Sequence, residues 1–198
     1  MDSRPPTSHE RHAGQPWDAS YTGGPPPWDI GRPQPAIVRL ASEGAFTGAV
    51  LDVGCGTGEN ALLVAALGLP VLGVDVAETA VATAREKAAA RGLDAEFVVA
   101  DALHLDRLDR TFDTVLDCGL FHTFEGDERQ AYVASLASVT LGALYVLCFR
   151  DAGPHPVSEA EVRAAFADGW HIASLTPNEL HTRFGDVPAW LLSAVISD

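Results

Sequence analysis

The chain has 198 residues, which is enough for one α/β domain with a sizeable core and short for two. Its net charge of −14 comes from 27 acidic against 13 basic residues, with Lys87 as the single lysine, and such a surface repels phosphate backbones and anionic lipids. We therefore expect neither a nucleic-acid nor a membrane partner, and, since no apolar stretch could span a bilayer or act as a signal core, a cytoplasmic location.

Cysteine and histidine usage argues against a disulfide framework and against a metal site. The three cysteines, Cys55, Cys118 and Cys148, are odd in number and form no Cys-x-x-Cys pair. The seven histidines are scattered, without the spacing of a metal site on one helix face. The sequence therefore predicts that the chain binds no metal.

The first 35 residues differ in composition from the rest of the chain. They hold eight of the thirteen prolines and almost no apolar periodicity, and residues 1–16 are expected to be disordered. Trp17, Tyr21 and Trp28 interrupt this polar stretch. Such aromatic residues either pin a tail to the body or cover a ligand, and both can hold. Residues 1–35 are thus predicted to be a tail that forms an active-site lid, and residues 36–198 a single domain.

From Pro35 onward, segments with strand composition alternate with segments of helical periodicity. This alternation predicts a doubly wound α/β sheet with right-handed crossovers. The alanine-rich run before Gly92 is the strongest predicted helix, and Ser158 followed by Glu161 is a capping box. Helices are predicted over 36–42, 60–66, 78–91, 127–139 and 158–167, and strands over 49–53, 71–74, 95–99, 112–116, 143–149, 170–175 and 190–196.

The first predicted strand runs directly into a glycine-rich turn. Residues 51–59 read Leu-Asp-Val-Gly-Cys-Gly-Thr-Gly-Glu, with glycines at Gly54, Gly56 and Gly58. Three glycines over five positions let the backbone turn sharply and lie against a ligand, since side chains there would block it. The second predicted strand leads to Asp75, whose carboxylate can accept hydrogen bonds from two ribose hydroxyls. These features predict a site for an adenosine-bearing cofactor at the carboxyl end of a parallel sheet.

The spacing of the glycines disfavours a dinucleotide as that cofactor. The dinucleotide fingerprint Gly-x-Gly-x-x-Gly would place its third glycine where this chain has Glu59. An acid beside a pyrophosphate repels it, whereas the crowded Gly-x-Gly-x-Gly turn suits a ligand without phosphates. A nicotinamide-dependent oxidoreductase is therefore a minor alternative, and it predicts that the chain binds NADH.

The glycine turn resembles the first motif of the class I S-adenosylmethionine (SAM)-dependent methyltransferases, which commonly reads Asp-x-Gly-x-Gly-x-Gly. Asp52 begins that motif here, Asp75 is the acid after the second strand, and Asp101 follows the third. The resemblance extends over essentially all of residues 36–198. It implies a Rossmann-like, seven-stranded, mostly parallel sheet with helices on both faces and one antiparallel strand among the last two. It also implies SAM as the cofactor and S-adenosylhomocysteine as its product.

Two shorter segments are similar to the thiopurine, thiol and halide methyltransferase group. Residues 28–35 read Trp-Asp-Ile-Gly-Arg-Pro-Gln-Pro, and residues 117–124 read Asp-Cys-Gly-Leu-Phe-His-Thr-Phe. That group places a tryptophan-bearing segment over SAM and the acceptor, and its relatives methylate sulfur, nitrogen or oxygen. Because the chain has no insertion large enough for a separate recognition domain, we expect a small-molecule acceptor.

The resemblance implies a set of cofactor-binding residues. The glycines would line the methionine part of SAM, and Asp75 would hold the ribose hydroxyls. Val76 would pack on the adenine, and Asp101 would read its amino group, although an acid there equally serves as a helix cap. Cys118 would meet the methionine end as a small apolar filler and not as a nucleophile. The implied set is Trp28, Arg32, Asp52, Gly54, Gly56, Gly58, Asp75, Val76, Asp101, Ala102 and Cys118.

The two residues of this set that lie in the tail have open alternatives. Trp28 can stack on the cofactor or on the acceptor, using a large flat surface with little rotamer entropy to lose. Arg32 can pair with the SAM carboxylate or, within the tail, with Asp29.

Methyl transfer from a sulfonium mainly requires in-line positioning. Because a thiol has a pKa of about 8.5, some thiolate exists at neutral pH, and a thiol or halide acceptor needs no strong base. A phenol or alcohol does need one, and His122 is the candidate, with a hydrogen-bonded loop histidine as the alternative. His155 and Asp151 are further candidates near the same rim. No catalytic role is expected for His9, His12, His104, His171 or His181.

The sequence thus predicts a SAM-dependent methyltransferase that acts on a small nucleophile, with sulfur favoured and heteroaromatic nitrogen or phenolic oxygen next. A SAM-binding protein without turnover is the alternative from another class, because no indispensable catalytic side chain stands out. The oligomeric state is left open by the sequence.

Overall fold

The structure, a computed structural model, describes residues 4–197. Helices and strands alternate through the chain from residue 35 onward, as the sequence predicts. The helices are α1 (Ser8–Ala13), α2 (Ala19–Thr22), α3 (Pro35–Ser42), α4 (Glu59–Ala66), α5 (Glu78–Arg91), α6 (Gly126–Val139) and α7 (Glu159–Ala165). The strands are β1 (Val50–Val53), β2 (Val71–Asp75), β3 (Glu96–Val99), β4 (Phe112–Cys118), β5 (Thr140–Phe149), β6 (Trp170–Thr182) and β7 (Gly185–Ile196).

The strands form one seven-stranded sheet in the order β3-β2-β1-β4-β5-β7-β6. The first five strands pair in parallel, and β7 lies antiparallel between β5 and β6. From β1 the chain adds β2 and β3 on one side of the sheet and then β4 and β5 on the other, so the strand order reverses between β1 and β4. Open α/β sheets bind ligands in the crevice at the carboxyl ends of two such strands. The predicted fold class is confirmed, including the antiparallel strand near the end of the chain.

Helices cover both faces of the sheet because the buried strands send alternate side chains to opposite sides. On one side, Leu51 and Val53 of β1 belong to the same buried cluster as Tyr132 of α6. On the other side, Val50 belongs to a cluster with Leu62 of α4. Within residues 4–197, the structure contains no helix long and apolar enough to cross a bilayer.

The last two strands are longer than predicted, because each continues past a proline. Pro177 lies in β6, which is an edge strand, and there a missing N–H faces solvent. Pro188 lies in β7 one residue beyond the last partner of β5, so its missing N–H interrupts no pair in the sheet. The two strands therefore extend over 170–182 and 185–196 and form a long hairpin.

The start of the chain is more ordered than the sequence suggests. Of the segment 1–16, expected to be disordered, residues 1–3 lie outside the described range, and Ser8–Ala13 forms α1. Thr7 and Glu10 form a capping box at its start, and the Glu10 carboxylate also accepts two hydrogen bonds of 2.7 Å from the Arg4 guanidinium. The capping box satisfies the backbone N–H groups of Thr7 and Glu10 at the start of the helix, and the ion pair with Arg4 fixes the Glu10 carboxylate, which helps so short a helix to form here.

Candidate active site

A cleft opens at the carboxyl ends of β1, β2, β3 and β4 and has a volume of about 1290 Å³, counted to its open mouth. The structure brings the predicted residues together here. Those that line the cleft are Trp28, Arg32, Gly54, Gly56, Gly58, Asp75, Val76, Asp101, Ala102, Cys118 and His122.

The glycine turn forms the floor of the cleft. Gly54, Gly56 and Gly58 all have positive φ angles, of 70°, 52° and 86°, a backbone region that favours glycine. A Cβ atom at Gly58 would also lie 2.8 Å from the Cβ of Ala84 and 2.9 Å from the ring of Phe97. Both the angle and the crowding therefore require glycine at this position, as the sequence predicts.

Asp75 connects the end of β2 to the glycine turn. One oxygen of its carboxylate accepts a hydrogen bond from the Gly56 N–H at 2.9 Å, and the other accepts one from the Ala77 N–H at 2.9 Å. Burial raises the pKa of Asp75, while these backbone donors lower it. Because two carboxylate oxygens have about four acceptor positions, two are left for the hydroxyls of a ribose.

Asp52 is the one predicted cofactor residue that the structure places outside the cleft wall. Its side chain is buried, with 1% of the residue exposed, and accepts a hydrogen bond from the Ala61 N–H of α4. Its Oδ2 atom has no hydrogen-bond partner among the described residues. Burial raises the pKa of Asp52 to about 7, and the nearby carboxylates of Asp117 and Asp75 add to this effect. In this structure Asp52 therefore connects the end of β1 to the first turn of α4.

Asp101 caps a short helical turn at the far side of the cleft. Its Oδ1 atom accepts a hydrogen bond from the Leu103 N–H at 3.0 Å, at the start of the 3₁₀ helix Ala102–Leu108. The capping alternative for this acid is thus present, and Asp101 still lines the cleft beside Val76 and Ala102.

The roof of the cleft is a cluster of aromatic side chains from the N-terminal segment. The Trp28 indole N–H donates a hydrogen bond to the Tyr21 hydroxyl at 3.0 Å, and the two rings meet edge to face. Trp17 stacks on His9, with 4.1 Å between ring centroids, and its ring also meets Trp28 edge to face. The Tyr21 hydroxyl lies close to Gly56, so the cluster covers the glycine turn.

Hydrogen bonds from separate parts of the fold hold this roof in place. Asp18 accepts from the Thr79 N–H at 2.7 Å and from the Thr79 hydroxyl at 3.0 Å, at the start of α5. Glu128 of α6 accepts from the Ser8 N–H at 2.8 Å. The residues before α3 are thus tied to both sides of the cleft.

Of the two alternatives for Arg32, the ion pair with Asp29 is not formed in the part of the chain that the structure describes. Asp29 is engaged by the Thr57 hydroxyl at 2.8 Å and by the Gly31 N–H at 3.0 Å. Arg32 forms no ion pair with any residue between 4 and 197, and its exposed side chain lines the cleft. The geometry thus leaves its guanidinium available for a carboxylate.

His122 is buried in the wall of the cleft, with 4% of the residue exposed. The Phe149 N–H donates to its Nδ1 atom at 3.4 Å, which leaves the ring hydrogen on Nε2. Burial, together with smaller contributions from charge repulsion by His155, His9 and Arg129, lowers the pKa of His122 to about 3. The imidazole is therefore neutral at physiological pH and a weak base.

The cysteines of the cleft are not activated. Burial raises the pKa of the Cys118 thiol, and the carboxylates of Asp52 and Asp117 raise it further. The pKa of Cys55 is raised by the same effects. A nucleophilic cysteine needs a lowered thiol pKa, so both side chains act as small apolar wall groups.

Sequence reasoning missed His9, which lines the cleft although no role is expected for it. Its position depends on α1, and the signal for that helix is the pattern Thr7-Ser8-His9-Glu10, a capping box whose acid, Glu10, also pairs with Arg4. His155, a lesser candidate, lines the cleft as well. Asp151, the other lesser candidate, is exposed and does not line the cleft.

Known proteins show the same fold and family. Residues 50–141 match a family model described as a methyltransferase domain. The chain is 38% identical to the 2-heptyl-1-hydroxyquinolin-4(1H)-one methyltransferase of Mycobacteroides abscessus, over 79% of this chain and 73% of that protein. It is 29% identical to an Arabidopsis thaliana protein named "Probable thiol methyltransferase 2", over 83% and 77% of the two chains.

Solved structures agree with this relationship. A structure described as "Conversion of a Disulfide Bond into a Thioacetal Group during Echinomycin Biosynthesis" superposes with a TM-score of 0.86 at 40% identity, covering 91% of both chains. The magnesium protoporphyrin IX methyltransferase of Synechocystis PCC 6803, solved with bound SAM, has a TM-score of 0.67 at 29% identity and covers 82% and 76% of the two chains. The chain is therefore a member of the SAM-dependent methyltransferases, acting on small molecules with SAM as its cofactor.

Proposed function

We propose that the methyl acceptor is a small thiol, attached to an apolar and planar group, which reacts as its thiolate. The observation that carries this proposal is the weak basicity of His122, the best-placed imidazole. Burial lowers the pKa of its side chain to about 3. Burial also lowers the pKa of His9. An acceptor that must lose a proton during transfer would meet no strong base at these two positions, whereas a thiol supplies its own anion near neutral pH.

The walls beyond the methionine end support an apolar, planar acceptor. Trp28 and Trp17 lie above this part of the cleft, and Phe149 and Leu180 form part of its wall. Flat aromatic surfaces stack on planar ligands at a low cost in rotamer entropy. The neutral His122 adds one hydrogen-bond donor, the Nε2–H, to a mainly apolar surface.

The reaction needs little beyond alignment. A lone pair of the thiolate sulfur attacks the methyl carbon of SAM, a new carbon–sulfur bond forms, and the electron pair of the breaking bond returns to the sulfonium sulfur. The products are a methyl thioether and neutral S-adenosylhomocysteine, with no proton transferred in the step. The residues of the glycine turn and Asp75 would hold SAM, and the aromatic roof would hold the acceptor in line, so positioning supplies the acceleration.

A second acceptor class has an observation in its favour. The relative at 38% identity acts on a hydroxyquinolone, so an acidic hydroxyl on a nitrogen heterocycle fits the same apolar cleft. Such a hydroxyl also ionises without a strong protein base. Methylation of heteroaromatic nitrogen or phenolic oxygen is therefore the alternative to sulfur, and a SAM-binding protein without turnover is the alternative from another class.

The proposal includes the location of the enzyme and the role of its N-terminal segment. All three cysteines are unpaired, which favours a reducing compartment such as the cytoplasm. Residues 4–35 cover the cleft through Trp17, Tyr21 and Trp28, in keeping with a lid that closes over SAM and the acceptor.

The experiment that tests the proposal is methyl transfer from isotopically labelled SAM to a panel of aryl thiols, iodide, phenols and nitrogen heterocycles. Mass spectrometry identifies the methylated product. A methyl thioether formed in preference to other products supports the sulfur assignment, and methylation at oxygen or nitrogen alone overturns it. SAM binding without any product would favour the alternative without turnover.

A further inference from the structure

Three side chains from distant parts of the sequence converge at the rim of the cleft. His12 comes from α1, Glu125 immediately precedes α6, and His155 lies in the loop after β5. The Nδ1 atom of His155 lies 2.9 Å from the Glu125 Oε1, and the Nδ1 atom of His12 lies 3.9 Å from the same oxygen. The two imidazole rings are stacked, with 5.0 Å between their centroids, and one donor atom from each side chain lies within 4.8 Å of the other two.

Two imidazoles and one carboxylate make a donor set for a divalent transition metal. In a tetrahedral zinc site with bonds of about 2.0–2.1 Å, neighbouring donor atoms lie about 3.3 Å apart. The separations of 2.9 and 3.9 Å lie on either side of this value. His12 and Glu125 have about half of their side chains exposed, so small rotamer changes can complete the geometry and an ion can enter from solvent.

The Glu125 side chain does not stabilise the start of α6, the helix that it precedes. Glu125 occupies the position before the first residue of α6, where a side chain often caps the helix, but it makes no capping hydrogen bond. Its carboxylate is directed to the two histidines. His155 lies between Pro154 and Pro156 with a φ angle of 56°, an unusual backbone conformation for this residue type. The fold thus directs both side chains toward the same point.

We propose that His12, Glu125 and His155 bind one divalent transition metal ion, with Zn²⁺ as the preferred ion, and that the bound ion fastens α1 over the cleft. His155 lines the cleft, and His9, one helical turn before His12, lines it too. Three protein ligands leave one position on the ion for water. The proposal replaces the expectation, drawn from the spacing of the histidines, that the chain binds no metal.

The first test measures binding of Zn²⁺ to the full chain, with any purification tag removed and bound metal stripped by a chelator. Isothermal titration is expected to give one tight site, and Co²⁺ in its place should give the visible absorption of a low-symmetry cobalt site. Glu125→Gln and His155→Ala are each expected to weaken Zn²⁺ binding at least tenfold. His181→Ala is the matched control, because it removes a histidine from the other His/carboxylate group of residues 4–197, formed with Glu179 and Asp186.

Two results would overturn the metal site. One is the absence of a stoichiometric Zn²⁺ site in the native protein, and the other is a site that persists in the Glu125→Gln/His155→Ala double variant or disappears in His181→Ala. Because these readouts involve neither SAM nor an acceptor, their failure leaves the proposed methyl transfer intact, and a failure of methyl transfer leaves the metal site intact.

The second test concerns the attachment of α1. Trypsin can cut after Arg11, which lies within this helix, whereas the Arg4–Pro5 bond resists the protease because proline follows the arginine. Zn²⁺ is expected to slow this cleavage at least threefold in the native protein and to have no such effect in His12→Ala. Equal protection of both proteins would show that a bound ion does not fasten the helix, and this result would overturn that part of the proposal.

Discussion

The indole N–H of Trp28 donates a hydrogen bond to the hydroxyl of Tyr21 at 3.0 Å, directly above the glycine turn. Both residues come from a segment without regular strand or long helix, so this bond is one of the few interactions that hold the two rings relative to each other. Burial raises the pKa of Tyr21 and keeps its hydroxyl protonated. The orientation of these two rings over the glycine turn therefore depends on a neutral pair of side chains.

We expect Tyr21→Phe to raise the dissociation constant of SAM by a factor of about two to ten, because a typical hydrogen bond contributes about 0.5–1.5 kcal/mol. In a Trp28→Phe background, which lacks the hydrogen-bond donor, the further substitution Tyr21→Phe should raise the dissociation constant of SAM only slightly. The three variants form a double-mutant cycle measured by SAM titration. Strictly additive effects of the two substitutions would contradict a direct coupling between these residues.

Asp75→Ala is expected to weaken SAM binding by more than tenfold, a loss of at least about 1.4 kcal/mol. The reason is that its carboxylate holds the Gly56 N–H and has acceptor positions left for ribose hydroxyls. Titration calorimetry measures the affinity, and thermal unfolding shows whether the variant is folded. Glu96→Gln, on the neighbouring β3, is the control, since its carboxylate pairs only with Arg110 at the surface. Unchanged SAM affinity in folded Asp75→Ala would refute the site assignment.

Gly58→Ala is expected to destabilise the protein by about 2–5 kcal/mol, the sum of the costs of a left-handed backbone and of an overpacked contact. The added Cβ would lie 2.8 Å from Ala84 and 2.9 Å from Phe97. Gly68→Ala is a matched control, because Gly68 has a similar φ angle of 80° and no atom within 4 Å of an added Cβ. Chemical denaturation of both variants should show the smaller loss for Gly68→Ala. Equal losses of unfolding free energy in the two variants would mean that crowding around residue 58 does not contribute to the destabilisation.

His122→Asn is expected to reduce the kcat of thiol methylation by less than tenfold. A general base typically contributes a factor of about 10²–10⁴, but a thiolate needs none and burial lowers the pKa of His122 to about 3. The native pH–rate profile should therefore follow the pKa of the acceptor thiol. A hundredfold loss of kcat in His122→Asn, with SAM affinity unchanged, would assign a catalytic proton transfer to this residue.

The same histidine predicts a pH dependence of stability. Its pKa is about 3 in the folded state and near its ordinary value in the unfolded state, so the unfolded chain binds more protons and stability falls as the pH drops below about 6.5. From pH 8 to pH 5 this group should cost the native protein about 2 kcal/mol of unfolding free energy. The unfolding free energy of His122→Asn should fall correspondingly less between pH 8 and pH 5. Urea denaturation at each pH measures this free energy for both proteins. An identical pH dependence in both proteins would contradict the burial of a neutral imidazole.

The parts of the site that follow directly from local sequence could be predicted. The glycines at 54, 56 and 58 are needed for backbone angles and close approaches, and such requirements are visible in residue type alone. The position of Asp75 follows from parallel strands whose carboxyl ends meet at one edge of the sheet. The long β6–β7 hairpin was underestimated, because whether a strand tolerates Pro177 depends on its place at the edge.

The parts that depend on long-range packing could not be predicted. Asp52 belongs to the same short motif as the glycines, yet its side chain is buried outside the cleft wall and bonds to Ala61 of α4. His9 and His12 reach the cleft and its rim only because Ser8 docks on Glu128, 120 positions away in the chain. Similarly, the neutral state of His122, which follows β4, results from burial beside Phe149 at the end of β5.

The most direct measurement of the central claim is a competition between two acceptors in one vessel. An aryl thiol and an N-hydroxyquinolone at equal concentration share a limiting amount of SAM, and mass spectrometry gives the ratio of the two methylated products. We predict an excess of the methyl thioether at neutral pH, because sulfur supplies the stronger nucleophile in a cleft without a strong base at His9 or His122. An excess of the O-methyl product would contradict the sulfur assignment and move the acceptor to the class used by the hydroxyquinolone relative.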